Sequence, residues 1–426
     1  MIVKILHQMW NQRWHNSWIF AEMILIAIFL WIIIDPLYTI CATAAIPDNY
    51  EKEGRVCVTI EMEEPIMFAS EALRNELYSL KGIIERMPEV EAYANCEIGS
   101  LPNDDQNICD RLYDGDNEEK WIDVYRYSYY GDNGSNASAV LGIKDANSGK
   151  QLKLPDNFNK RKDIFISRNA AMSLFGTTEV TGRYSGDRKI AGVFEDIQIN
   201  AYREPFPATI QIIEDSRDYP KIATNINTTL LKLKKEVDTE KFIEKINNMV
   251  ADMPTHYMRA FKILSMRDFM KERATHKNTM NTVRQKTFFG SFALVCIFLC
   301  MLGTFWVRMN NRRGDIGIMK SMGASRNIIT RHYITEAVVL ISLSFAVCLP
   351  VILHIVTVDG FIVPQITTYD EGLAPNPEYA VNNFYIHFAW VTAITYVVML
   401  AITVIGTFIP VYRATRILPA DALRDE

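Results

Sequence analysis

Residues 288–307 run for 20 positions without one charged side chain. About 20 apolar residues in a helix span the ~30 Å of hydrocarbon in a bilayer. Helices in soluble cores keep a polar face and rarely stay apolar all round for so long. Three further stretches read the same way. Residues 18–34, reaching toward 40, are interrupted by Glu22, Asp35 and Pro36. Residues 334–358 carry Glu336 near their start, and residues 388–409 complete the set. The sequence therefore predicts an α-helical membrane protein with four transmembrane helices.

The basic residues orient these spans, because Lys and Arg collect on the cytoplasmic side. Lys4 and Arg13 precede the first span. Arg308, Arg312, Arg313, Lys320, Arg326 and Arg331 lie between the second and third, and Arg413, Arg416 and Arg424 follow the fourth. The loop between the third and fourth has no Lys or Arg, only Asp359, Asp370, Glu371 and Glu378. Both termini are expected inside and the long polar segment outside. The expected organisation is an interfacial helix at 1–16, the first span at 17–44, an extracytoplasmic domain at 45–285, and the second span at 286–308. A cytoplasmic loop at 309–332, the third span at 333–358, an outer loop at 359–386, the fourth span at 387–410 and a cytoplasmic tail at 411–426 follow. Ala42-Thr43-Ala44 has the form of a signal-peptide cleavage site. Cleavage there would leave an odd number of spans, so the first span is expected to be retained.

The outer domain is expected to be α+β. RVCVTI at 55–60 alternates like a strand, residues 68–87 have helical periodicity, and 90–98 can return as a strand. A second β-α-β unit is predicted at 228–233, 239–253 and 260–264, packing with the first in one layer. Between them, turn signals at Gly131-Asp132-Asn133-Gly134 and Asn147-Ser148-Gly149 suggest an inserted, mostly β subdomain at about 114–214. Residues 266–286 read as a charged helix that continues into the second span as a stalk. Of seven cysteines, Cys96 and Cys109 lie in the polar region, where a bridge between them and two free thiols are both open readings.

Signatures of catalysis are scarce. Gly149-Lys150 is followed by Gln151 and lacks the upstream glycine of a phosphate-binding loop. The seven histidines show no metal-ligand spacing, and no nucleophile elbow is present. A net charge of -5 carries no sign of a nucleic-acid partner. No cofactor or catalytic residue is expected in this chain, and it is read as a non-enzyme. The intramembrane ionisable residues Glu22, Asp35 and Glu336 remain candidates either for structural pairing or for an ion path.

The cytoplasmic loop carries a resemblance. Arg313-Gly314-Asp315-Ile316-Gly317-Ile318-Met319-Lys320-Ser321-Met322-Gly323-Ala324-Ser325 resembles the R-x-E-I-G-I-x-K-A-x-G-A-S signature of FtsX-like ABC transporter permeases, with Asp315 in place of Glu. The residues after it, 328–340, are similar to that family's third-span entry, whose glutamate Glu336 matches. The tail, with Arg413, Pro419, Leu423 and Arg424, resembles the family's P-x-x-R-A-x-x-x-x-P-x-x-A-L-R ending. Residues 166–176, 190–196 and Arg203-Glu204-Pro205 are similar to segments of MacB-type macrolide exporters.

The resemblance implies a permease subunit in a bacterial inner membrane, with its outer domain in the periplasm. ATP and Mg would be bound by a separate ABC ATPase subunit. A second permease, identical or paralogous, would pair with it in the bilayer, and a periplasmic adaptor and outer-membrane duct would be further partners. Arg313, Asp315, Ile316, Gly317, Ile318, Met319, Lys320, Met322 and Gly323 would couple the chain to the ATPase. Ile316, Ile318, Met319 and Met322 would offer apolar knobs. The expected work is export of an antimicrobial peptide, a macrolide or a similar amphiphile by mechanotransmission. Release of lipoproteins, or a signalling scaffold that activates a cell-wall hydrolase, are the alternatives.

Overall fold

In the computed structural model, residues 13–65, 68–97, 99–102, 108–115, 117–130, 137–198, 205–213, 226–253, 255–276, 279–359 and 377–415 are described. The chain divides into two units. One comprises Met1–Ala42, Thr282–Gln365 and Ala374–Glu426, and the other Thr43–Asn281 and Ile366–Leu373.

The first unit is built from long helices. Helix α1 is Arg13–Ala44. The other helices of this unit are α7 (Thr279–Asn310), α8 (Arg313–Ser321), α9 (Arg326–Asp359) and α10 (Pro377–Ala414). Four of them are long and apolar enough to cross a membrane, over Ser17–Ala44, Val283–Asn310, Arg326–Val358 and Asn383–Arg413. Their shared interior holds Leu30, Trp31, Met301, Phe305, Ile341, Cys348, Val391 and Met399. α7 comes close to α1 at Gly290, where a Cβ would lie 3.1 Å from the tip of the Leu37 side chain. Polar bonds also cross between helices, from Trp31 Nε1 to Thr392 Oγ1 (3.2 Å) and between the Ser342 and Tyr396 hydroxyls (2.9 Å). Inside hydrocarbon such bonds add modestly to packing.

The second unit is a mixed sheet with helices on its faces. Its strands are β1 (Arg55–Met62), β2 (Val90–Cys96), β3 (Ile108–Asp114), β4 (Asn117–Tyr130) and β5 (Asp163–Ser167). β6 (Tyr184–Ser185), β7 (Arg188–Phe194), β8 (Ala208–Ile213), β9 (Ile226–Leu233) and β10 (Met258–Ser265) follow. Its helices are α2 (Glu71–Glu85), α3 (Ala137–Leu141), α4 (Arg168–Phe175), α5 (Thr239–Ala251) and α6 (Met266–His276). The strand order is β10-β1-β9-β2-β4-β8-β5-β7-β6, with β3 paired to β4.

The two β-α-β units are interleaved. β9 lies between β1 and β2, and β1 lies between β9 and β10, antiparallel at each contact. This is the split β-α-β arrangement of ferredoxin-like folds. Alternation along β1 explains the two layers. Val56, Val58 and Ile60 face Leu73, Leu77 and Leu80 of α2 and Phe242 and Ile246 of α5. Cys57 faces the other way, into a cluster with Tyr127, Tyr129 and, from α6, Met266 and Phe269. Each covering helix starts at a side-chain cap. Ser70 Oγ accepts from Leu73 N at the start of α2, and Asp238 accepts from Glu240 N and Lys241 N at the start of α5.

The strands expected to form an inserted subdomain do not make a sheet of their own. Tyr129 and Tyr130 of β4 pair with Cys96 and Asn95 of β2, so the insertion widens the same sheet. Cys96 is buried and Cys109 is exposed, and no disulfide joins them in this structure. Residues 277–278 of the expected stalk helix, residues 1–12 of the expected interfacial helix and residues 360–376 of the expected outer loop lie outside the described residues.

One carboxylate in this unit is poised to titrate. Burial, reinforced by the charge of Glu195, pushes the Asp196 carboxyl up to about 6, against the pull of the 2.7 Å hydrogen bond that Asn169 N donates to it. The unfolded chain ionises near 4, so between about 4 and 6 the folded state holds a proton that the unfolded state has lost. Stability from this group falls as pH rises through that window, by on the order of 2 kcal/mol. Asp196→Asn should therefore flatten the pH dependence. Denaturation of the full chain at pH 5 and pH 7.5 should show the variant gaining on wild type at the higher pH.

Candidate functional site at the inner end of the helices

The loop joining α7 to α9 is a short helix held at both ends. α8 carries Asp315 in its first turn and Lys320 in its last, the arrangement that the helix dipole favours. Its end is a Schellman motif. Gly323 N donates to Lys320 O (2.9 Å), and Ala324 N donates to Met319 O (3.0 Å). Gly323 has φ +90, which an L side chain adopts only with strain. Met319 and Ala324 pack against the same apolar cluster, the hydrophobic contact that accompanies this motif. Ser325 then caps α9, its Oγ accepting from Ile328 N at 3.4 Å. The Gly-Ala-Ser run thus has a structural reason at each position. Gly323→Ala should cost about 1 kcal/mol, read as a lowered unfolding midpoint of the full chain.

α8 is two-sided. Ile316 is 2% exposed and packs with Met309, Ile329, Tyr333 and Val411, which come from α7, α9 and α10. Gly317 is buried, and Met319 is partly buried on the same side. Ile318 (49% exposed) and Met322 (77% exposed) face outward, with exposed Asp315. Of the four apolar knobs expected from the sequence, two pack inward and two stand exposed. Gly314 and Lys320 are half-buried. Arg313 opens α8.

Directly before α8 lies a cluster of charge that the sequence did not disclose. Arg308 Nη2 donates to Glu336 Oε1 (2.7 Å), and Arg312 Nη1 donates to Oε1 and Oε2 (2.9 and 2.8 Å). All three side chains are buried. Arg308 and Arg312 are four apart in sequence, hence on one face of the turn. That spacing was the available signal, hidden because both residues read as ordinary inner-side charges. Arg312 also lies over the Tyr333 ring, 6.0 Å from its centroid. The Tyr333 hydroxyl is buried with no hydrogen-bond partner among the described residues. Tyr333→Phe removes that unpaired group and keeps the ring, so it should be neutral or stabilise by about 1 kcal/mol, measured as a thermal midpoint in detergent.

The other singled-out residues lie elsewhere. Glu22 accepts from Thr304 Oγ1 (2.7 Å), tying α1 to α7. Asp35 is fully buried and lies 2.6 Å from His387 Nε2, with Tyr38 edge-on to the imidazole. His387 was one of the scattered histidines, and only folding brings it to Asp35. Arg413 lies over the Trp306 ring, 5.3 Å from its centroid. Pro419, Leu423 and Arg424 lie outside the described residues. Among the described residues no group of histidine, cysteine and carboxylate side chains could hold a metal ion.

Residues 287–419 match the family model described as FtsX-like permease C-terminal. No curated protein sequence matches the chain. Among solved structures, the chain is similar to the periplasmic region of MacB from Actinobacillus actinomycetemcomitans. That match has 13% identity and a TM-score of 0.32, covering 52% of this chain and 92% of that one. A domain of a protein described as a permease from Porphyromonas gingivalis gives 15% identity and a TM-score of 0.31, with coverage of 51% and 92%.

Proposed function

We propose that this chain, a multi-pass membrane protein carrying an FtsX-like permease C-terminal domain at residues 287–419, is the permease subunit that passes the motion of a separate ABC ATPase to its large outer domain. One observation carries the reading. α8 joins two membrane helices, is anchored by Ile316 on one side, and presents Ile318, Met322 and Asp315 on the other. An ATPase cleft that accepts this outer side would move the helix, and the anchored side would move the bundle. ATP and Mg belong to that partner in this reading, and a second permease completes the pair in the bilayer.

The finer reading is export of an amphiphile, such as an antimicrobial peptide or a macrolide, from the outer face of a bacterial inner membrane. It is supported by the concentration of Lys and Arg in the α7–α9 loop and by the size of the outer domain. The test is co-purification of the full-length chain with its ATPase, followed by measurement of ATP hydrolysis in nanodiscs. Met322→Asp combined with Ile318→Asp should abolish retention of the ATPase. Unchanged retention and hydrolysis would remove α8 from the docking surface.

A further inference from the structure

We propose that Glu336 is a positioning residue that locks the docking helix to the membrane bundle, so that the end of α7, the start of α8 and the body of α9 move as one piece. The inference rests on the reading of α8 as the surface that meets the ATPase, and adds the part that carries movement inward.

The geometry converges on one carboxylate. Arg308 belongs to the last turn of α7, Arg312 is the residue immediately before α8, and Glu336 lies on α9. Both guanidiniums bond the same Oε1, at 2.7 and 2.9 Å, and Arg312 also reaches Oε2 at 2.8 Å. Relative exposures of 5%, 7% and 3% keep water from competing. Arg312 makes no side-chain cap on α8, being engaged with Glu336 instead.

Stability alone does not account for such a triad. Exchanging buried ionic triads for apolar residues of similar volume is often neutral or stabilising, whereas removing one partner is costly. What charge-assisted hydrogen bonds supply here is a fixed direction, since each guanidinium must meet the carboxylate at short range. Met309, Ile316, Ile329, Tyr333 and Val411 add an apolar contact between the same helices and α10. An apolar contact tolerates sliding, because it is not directional. The ionic triad does not. A push on α8 with the triad intact therefore displaces α7 and α9 together. Without it, α8 can shift on its greasy seat while the spans stay behind.

The experiment compares wild type with two variants of the full-length chain in nanodiscs, each with the co-purifying ATPase. The apolar triple variant Arg308→Met/Arg312→Met/Glu336→Leu removes the ionic contact without leaving an unpaired charge. Glu336→Asp keeps the charge. Retention of the ATPase should match wild type in both. Permease-stimulated hydrolysis should fall about tenfold in the triple variant and recover in large part in Glu336→Asp. Without ATPase, amide exchange in residues 313–321 of the triple variant should quicken about tenfold, while α10 keeps its wild-type rates. Wild-type stimulation and exchange in the triple variant would overturn the proposal. A triple variant that fails to insert would also overturn it, by making the triad a folding element. If wild type itself retained no ATPase, the reading of α8 as a docking helix would fail, while the exchange comparison would still decide whether the lock exists.

Discussion

Asp35→Leu should destabilise the helical unit by about 3 kcal/mol or more, the cost of breaking a buried charged or hydrogen-bonded pair from one side. Asp35 is 0% exposed and His387 1%, and the 2.6 Å contact joins α1 to α10. Leucine keeps aspartate's branching at Cγ, although it is larger, and offers the imidazole no hydrogen bond. His387 would keep its place in an apolar interior without its short partner. The double variant Asp35→Leu/His387→Leu removes both polar groups and should regain much of the loss, because a matched apolar pair belongs in such surroundings. Unfolding of the purified chain by SDS titration in mild detergent gives the measurement, and the double-mutant cycle isolates the pair. Additive losses would mean that the two side chains do not interact.

The second large effect concerns the sheet. Phe165→Ala should cost about 3–5 kcal/mol, the range for removing a fully buried aromatic side chain. Phe165 is 1% exposed, stacks on Phe158 at 5.3 Å with ring planes 9° apart, and covers Gly192 on the neighbouring strand. A Cβ at Gly192 would come within 3.3 Å of the ring, so the glycine and the phenylalanine fit as a pair. Truncation leaves a hole that β5 and β7 cannot close without bending. Faster amide exchange in β5, β7 and β8 of the full chain, with α9 and α10 unchanged, is the expected signature. Unchanged protection in those strands would show that Phe158 and its neighbours had refilled the space.

The parts legible in the sequence were those set by composition over long stretches or by local periodicity. The span with no charge at residues 288–307 needed only length and hydropathy. The strand at 55–60 needed only alternation, and the helix at 239–253 only its apolar spacing. What stayed hidden depends on residues far apart in the chain. Glu336 was noticed as an isolated carboxylate, yet its partners lie 24 and 28 residues away. Asp35 meets His387 across 352 residues. Nothing in the spacing of either pair reports the contact, because helix packing alone brings them together. That the inserted strands extend the main sheet stayed hidden for a related reason. The turn signal at Asn147-Ser148-Gly149 coincides with a turn, while that at Gly131-Asp132-Asn133-Gly134 lies outside the described residues. The pairing of Tyr129 with Cys96 across the boundary cannot be read from local pattern.

The interleaving of the strands has a mechanical corollary. β1 follows the first membrane helix and β10 leads through α6 toward the second, and these two strands are direct neighbours, with Val56 opposite Ser265. Both tethers thus attach at the same end of one ladder. Drawing the tethers apart would peel that ladder one rung at a time from Val56 and Ser265, whereas moving them together would put little load across it. A head rooted in this way yields to splaying and resists a common stroke.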